Sequence, residues 1–99
     1  MHAVVRRYSG PGASELFEEF ERKHGSVEAT LEQAMRGVPG FVAYTLVRTQ
    51  EGGVSVTICR DKASTEKSVQ VARDWIRQNL QASANPPEVL DGDVLLQFS

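Results

Sequence analysis

Residues 41–60, FVAYTLVRTQEGGVSVTICR, decide the fold. Phe41 to Arg48 is rich in aromatic and β-branched residues. Gln50-Glu51-Gly52-Gly53 is a turn, and Val54 to Arg60 is a second run of strand formers. Two such runs joined by a short glycine-containing loop predict a β-hairpin. With Arg48 opposite Val54, Tyr44 and Leu46 share one face with Val56 and Ile58. Phe41, Ala43, Thr45 and Val47 then share the other with Ser55, Thr57 and Cys59, and a slip of one residue exchanges the two sets.

Upstream, Val38-Pro39-Gly40 is a connector and Gly37 ends a helical pattern. Leu16, Phe17, Phe20, Val27, Leu31, Ala34 and Met35 recur at helical spacing, with charged residues between them. This predicts one long amphipathic helix from Ser14, its N-cap, to Gly37, weakened at Gly25-Ser26. His24 falls on the same stripe between Phe20 and Val27. Further back, His2 to Tyr8 reads as a strand stopped by Ser9-Gly10-Pro11-Gly12.

Downstream, Asp61 caps a second helix from Ala63 to about Gln81. Its stripe is Val69, Ala72, Ile76 and Leu80, flanked by Val71 and Trp75. Ala84-Asn85-Pro86-Pro87 breaks it, and a last strand runs from Val89 to Phe98 with a bend at Asp91-Gly92-Asp93.

The order β-α-β-β-α-β, over a single domain spanning residues 1–99, is that of an α+β ferredoxin-like fold. It implies a four-stranded antiparallel sheet with both helices on one face. One face of Phe41–Arg48 meets the helices, yet the other still carries residues such as Phe41, Ala43 and Val47. An apolar sheet face of that size marks an interface, so the expectation is a homodimer packed through the sheet faces.

Hydrophobic residues make up 40% and charged residues 24%, an ordinary globular composition. A formal net charge of −2 argues against nucleic acid, which selects a basic face. No run approaches the ~18–20 apolar residues of a membrane span. The N-terminus has too few apolar residues before Arg6 and Arg7 for a secretory signal, and the lone Cys59 cannot form an internal disulfide. A cytoplasmic protein is expected.

With Val4-Val5-Arg6-Arg7-Tyr8, Val38-Pro39-Gly40-Phe41-Val42-Ala43-Tyr44 and Ala72-Arg73-Asp74-Trp75, the chain resembles the dimeric α/β barrel superfamily, in particular antibiotic biosynthesis monooxygenase-like proteins. The Pro39-Gly40-Phe41 link is the most telling of these. The resemblance implies a homodimer and a small monooxygenase that oxidises an aromatic or quinoid molecule without a cofactor. The alternative is a non-catalytic homodimeric module for small-molecule binding or interaction. Relatives that oxidise phenols or quinols, or degrade haem, use an Asn on the first strand and a Trp near the end of the third. Here those regions read Arg6-Arg7 and Ile58-Cys59-Arg60, and the second helix lacks the His of the haem enzymes.

Five residues are pocket candidates, none with an assigned catalytic role. Arg6 and Arg7 alternate on a strand, so one faces inward, where it needs an ion-pair partner or an anionic ligand. His24 is a general base or an edge-of-core histidine bonded to an oxygen. Tyr44 points between sheet and helices, and its hydroxyl serves a substrate oxygen or His24. Trp75 is a pocket wall or core. Neither Cys/His zinc spacing nor a glycine-rich phosphate loop is present, so no metal or cofactor is expected. His2 reads as an unremarkable terminal residue.

Overall fold

The computed structural model describes residues 1–98. The elements are β1 (His2–Tyr8), α1 (Ala13–Arg22), α2 (His24–Arg36), β2 (Phe41–Arg48), β3 (Gly53–Cys59), α3 (Lys62–Asn79) and β4 (Glu88–Asp93). The strands form one antiparallel sheet in the order β2-β3-β1-β4, and the helices supply the core opposite its inner face. This is the expected ferredoxin-like α+β arrangement, with three helices where two were predicted.

Period-two alternation fixes the faces. His2, Val4, Arg6 and Tyr8 of β1 are buried, as are Ser55, Thr57 and Cys59 of β3. Leu16, Phe17 and Phe20 of α1, Leu31 and Met35 of α2, and Trp75 of α3 close over them. The hairpin register differs by one residue from the sequence expectation. Arg48 lies opposite Gly53, Leu46 opposite Ser55 and Tyr44 opposite Thr57, so Tyr44 and Leu46 join Ser55 and Thr57 on the inner face.

Two contacts explain that register. Thr49 and Gly52 exchange backbone hydrogen bonds at 3.2 and 3.4 Å, closing the turn on Gln50-Glu51. Gly53 then lies under the Phe17 ring, where an added Cβ would stand 2.0 Å from Phe17 Cε2. Only glycine lets the ring settle that close to the sheet. The outer face is left to Val5, Val54, Val56 and Ile58, continued by Val47 and Leu90 towards the sheet edges.

The predicted long helix is two helices. The break falls at Lys23 (φ −102°, ψ 23°), before the Gly25-Ser26 pair expected to weaken it. α1 begins one residue after Gly12, whose φ of 85° and approach of 2.0 Å from Ser83 O to a would-be Cβ require glycine; Ser14 is not the cap. In α3, Asp61 caps as expected, accepting the Ser64 N–H at 2.8 Å. Its buried stripe is Thr65, Ser68, Ala72 and Trp75, with Val69 and Ile76 on the flanks. The last strand stops at Asp93, so only its first half matches the predicted Val89–Phe98. Leu95, Leu96 and Phe98 are exposed beyond it, and Ser99 lies outside the described residues.

The segment after α3 is held by Glu19. Its carboxylate accepts the backbone N–H groups of Ala82 at 2.8 Å and Gln81 at 3.0 Å, and the Lys23 ammonium at 2.8 Å. Lys23 first, then the two amides, draw the Glu19 pKa down to about 2.

Candidate functional site

α1 and α2 together overhang β2, an edge strand, and leave an open trough of about 660 Å³ between them. Phe17, Phe20, Val27, Leu31 and Met35 line it from the helices, and Phe41, Tyr44 and Leu46 from the strand. Its mouth is charged, with Glu21, Glu28, Glu32, Arg36 and Arg48. Arg48 ties the strand to α1: its guanidinium donates to Ser14 O at 3.2 Å and Ser14 Oγ at 3.1 Å, and Nε lies 3.3 Å from Glu21 Oε1. Volume and lining suit a flat, largely apolar small molecule.

Behind the inner wall of the trough lies a polar cluster on the sheet floor. Arg6 of β1 stands directly opposite Ser55 of β3, and Tyr8 follows on the same face with its ring 5.3 Å from the Arg6 Cζ. Arg6 is 4% exposed, Tyr8 6% and Ser55 1%. The Arg6 Nε, the Tyr8 hydroxyl and the Ser55 hydroxyl are buried, and each lacks a hydrogen-bond partner. Burial raises the Tyr8 phenol pKa against the opposing charges of Arg6 and Arg73. Tyr44 belongs to both places. Its ring lines the trough, and its hydroxyl is close enough to Ser55, Tyr8 and Arg6 to feel each of them. Burial chiefly, with some help from Tyr8, pushes the Tyr44 phenol up to about 12, so it stays a hydrogen-bond donor across the neutral range.

The five candidates separate accordingly. Arg6 and Tyr44 come together on the inner face. Arg7 points outward, 3.8 Å from both Glu51 and Glu88. His24 sits at the trough mouth, 80% exposed and 3.7 Å from Glu28, because the break at Lys23 turns it off the apolar stripe; it does not meet Tyr44. Trp75 is core: its indole stacks on Phe20 (6.0 Å between centroids, 9° between planes), and Nε1 donates to Thr30 Oγ1 at 3.0 Å. It is not a wall of the trough.

His2 is the residue whose role the sequence reading missed. Its Nε2 lies 3.0 Å from the Asp91 carboxylate and its Nδ1 2.6 Å from Thr65 Oγ1, so it ties β1 to β4 and α3. Thr65 Oγ1 also lies 2.9 Å from Lys62 O. The signal was available, since His2 keeps the same period as Val4, Arg6 and Tyr8. A second hollow of about 400 Å³ opens beside it, between α3 and the β1–β4 edge. Cys59 is buried, which raises its thiol pKa and leaves it a poor nucleophile. Among the described residues no group of three metal-ligating side chains converges.

No protein-family model matches the sequence, and no curated protein does either. Solved structures do match. A protein of unknown function from Nitrosomonas europaea superposes with a TM-score of 0.66 at 14% identity, over 99% of this chain and 91% of that one. The haem-degrader MhuD from Mycobacterium tuberculosis gives 0.61 at 18% identity, over all of both chains. SnoaB, a cofactor-independent oxygenase from Streptomyces nogalater, gives 0.61 at 19%, over 97% of this chain and 94% of that one. The chain therefore shares its fold with these solved structures, as the resemblance implied. At these identities the likeness carries the fold and not the chemistry.

Proposed function

We propose that this protein takes a flat aromatic or quinoid molecule into the trough between α1–α2 and β2 and oxidises it with dioxygen, using no cofactor. The observation that carries this reading is the trough itself: about 660 Å³ lined by aromatic and aliphatic side chains, with the protonated Tyr44 phenol at its inner wall. A phenol or quinol is electron-rich enough to reduce dioxygen itself. A quinol passes two electrons and two protons to dioxygen, leaving a quinone and hydrogen peroxide; at the CH2 of an anthrone, one oxygen atom becomes the carbonyl of the product and the other leaves as water with the two displaced hydrogens. The protein's part is to hold the ring, exclude water and offer a hydrogen bond to oxyanion character as it develops, which suits Tyr44. The fold shared with SnoaB supports this reading. Haem suits the trough less, because the histidine there, His24, stands exposed at the mouth.

Oxygen uptake with 1,4-dihydroxynaphthalene and an anthrone tests the proposal. Saturable uptake that falls roughly tenfold or more in Tyr44→Phe is expected. Tight binding of both compounds with no uptake above the uncatalysed rate would make the protein a non-catalytic binding module. Neither binding nor uptake would remove the trough from consideration.

The working unit of this proposal is a homodimer. Val5, Val54, Val56 and Ile58 form a continuous apolar patch on the outer sheet face, and a second copy placed by a twofold axis would cover it with the same patch. Its address would be the cytoplasm, which the free, buried Cys59 suits.

A further inference from the structure

We infer that the molecule held in the trough carries an acidic group, a carboxylate or an ionised phenol or enol, and that this group seats against Arg6. The inference rests on the trough being the binding site and goes on to name the class of molecule it selects.

Arg6 is a buried cation without a counter-charge. Among the described residues no carboxylate forms an ion pair with it, while Arg7, Arg36, Arg48 and Arg77 all have such partners. Its Nε makes no hydrogen bond, and the nearest aid is the face of Tyr8, 5.3 Å away. A buried charge left unpaired is strongly destabilising, and an unpaired buried donor adds to the penalty. Chains keep such groups where something outside the fold completes them.

The surroundings specify what completes it. The Tyr8 hydroxyl is buried without a partner beside the guanidinium, and the Ser55 hydroxyl, opposite Arg6, has at most the protonated Tyr44 phenol as its neighbour. Together they make a donor set around one positive charge, complementary to an anionic oxygen. Arg73 adds a second positive charge within range of Tyr8. A second copy on the outer face could not satisfy Arg6, because Arg6 lies on the inner face with Val4 and Tyr8. Arg6, Tyr8 and Ser55 lie behind the trough wall rather than in its lining, and Tyr44 joins the two places: it lines the trough and interacts with all three, so the acidic group reaches Arg6 past Tyr44.

The test is calorimetric titration at neutral pH of the full chain and of Arg6→Met with a matched pair, 2-naphthoate and 2-naphthalenemethanol. The native protein is expected to bind the acid roughly tenfold or more tightly than the alcohol, with the preference lost in Arg6→Met. Equal binding of both compounds to the native protein would overturn the inference and leave the trough intact as a site. Binding of neither compound would defeat the trough reading and this inference with it. Urea unfolding of the ligand-free proteins gives an independent readout. Arg6→Met is expected to unfold at an equal or higher urea concentration, because it removes an unpaired charge. A lower midpoint would show that Arg6 has its partner within the fold, and would overturn the inference.

Discussion

The Glu19 carboxylate in α1 accepts the backbone N–H of Ala82 at 2.8 Å, across 63 positions of sequence. With Gln81 and Lys23 on the same carboxylate, one side chain anchors the whole passage from α3 towards β4. Glu19 has its pKa at about 2 in the folded chain against an ordinary value of 4.5. Its contribution is therefore complete above the unfolded value and declines as pH falls from about 4.5 to about 2. Thermal unfolding followed over that window should show a steeper acid loss for the native protein than for Glu19→Gln. Parallel curves would show that Glu19 contributes nothing through its charge.

Gly53→Ala should destabilise the protein by about 1–3 kcal/mol, because the new methyl would overlap the Phe17 ring and force it off the sheet. Urea unfolding at constant slope measures it. An unchanged midpoint would mean that the ring does not hold the hairpin register.

Trp75→Phe keeps a ring against Phe20 but removes the hydrogen bond to Thr30. A loss of about 0.5–1.5 kcal/mol is expected. If Trp75 were a wall of the ligand site, the same change would alter the affinity for 1,4-dihydroxynaphthalene. The structure predicts that affinity is held within about twofold while stability falls, since Trp75 lies outside the trough.

Val56→Arg puts a charge at the centre of the outer sheet face, opposite both Val5 and Thr45. Sedimentation should show dimers for the native chain and monomers for the variant at micromolar concentration, with the circular dichroism spectrum preserved. A native chain that sediments as a monomer would refute the proposed dimer.

The sequence disclosed the elements better than their relationships. The β-branched and aromatic run His2–Tyr8 and the glycine turn before Val54 are local signals; the first strand formed where it was read, and the third lies one residue earlier, at Gly53–Cys59 rather than Val54–Arg60. The hairpin register was not local, since it depends on Gly53 receiving Phe17 from a helix far away in sequence. The break at Lys23 was misplaced because Gly25 has the poorer helix propensity. The Glu19–Lys23 contact and the packing of α2 over β2 are tertiary facts. Leu95, Leu96 and Phe98 have strand-forming composition, but among the described residues no strand includes them.

At the site, alternation said that one of Arg6 and Arg7 must face inward but could not say which. The hydroxyls of Tyr8 and Ser55 come beside Arg6 only through the β1–β3 pairing, which no spacing along the chain reveals. His24 shows the opposite failure. A helical stripe placed it inside, and a change of helix direction one residue earlier moved it to the mouth.

The most direct test of the central claim is a map of backbone amide shifts as 1,4-dihydroxynaphthalene is titrated into the labelled protein under anaerobic conditions. The account predicts saturating shifts at Val27, Leu31, Phe41, Tyr44 and Leu46, with the outer-face residues Val5 and Val56 unmoved. Shifts confined to the outer face or to the hollow beside His2, or no saturable shifts at all, would contradict it.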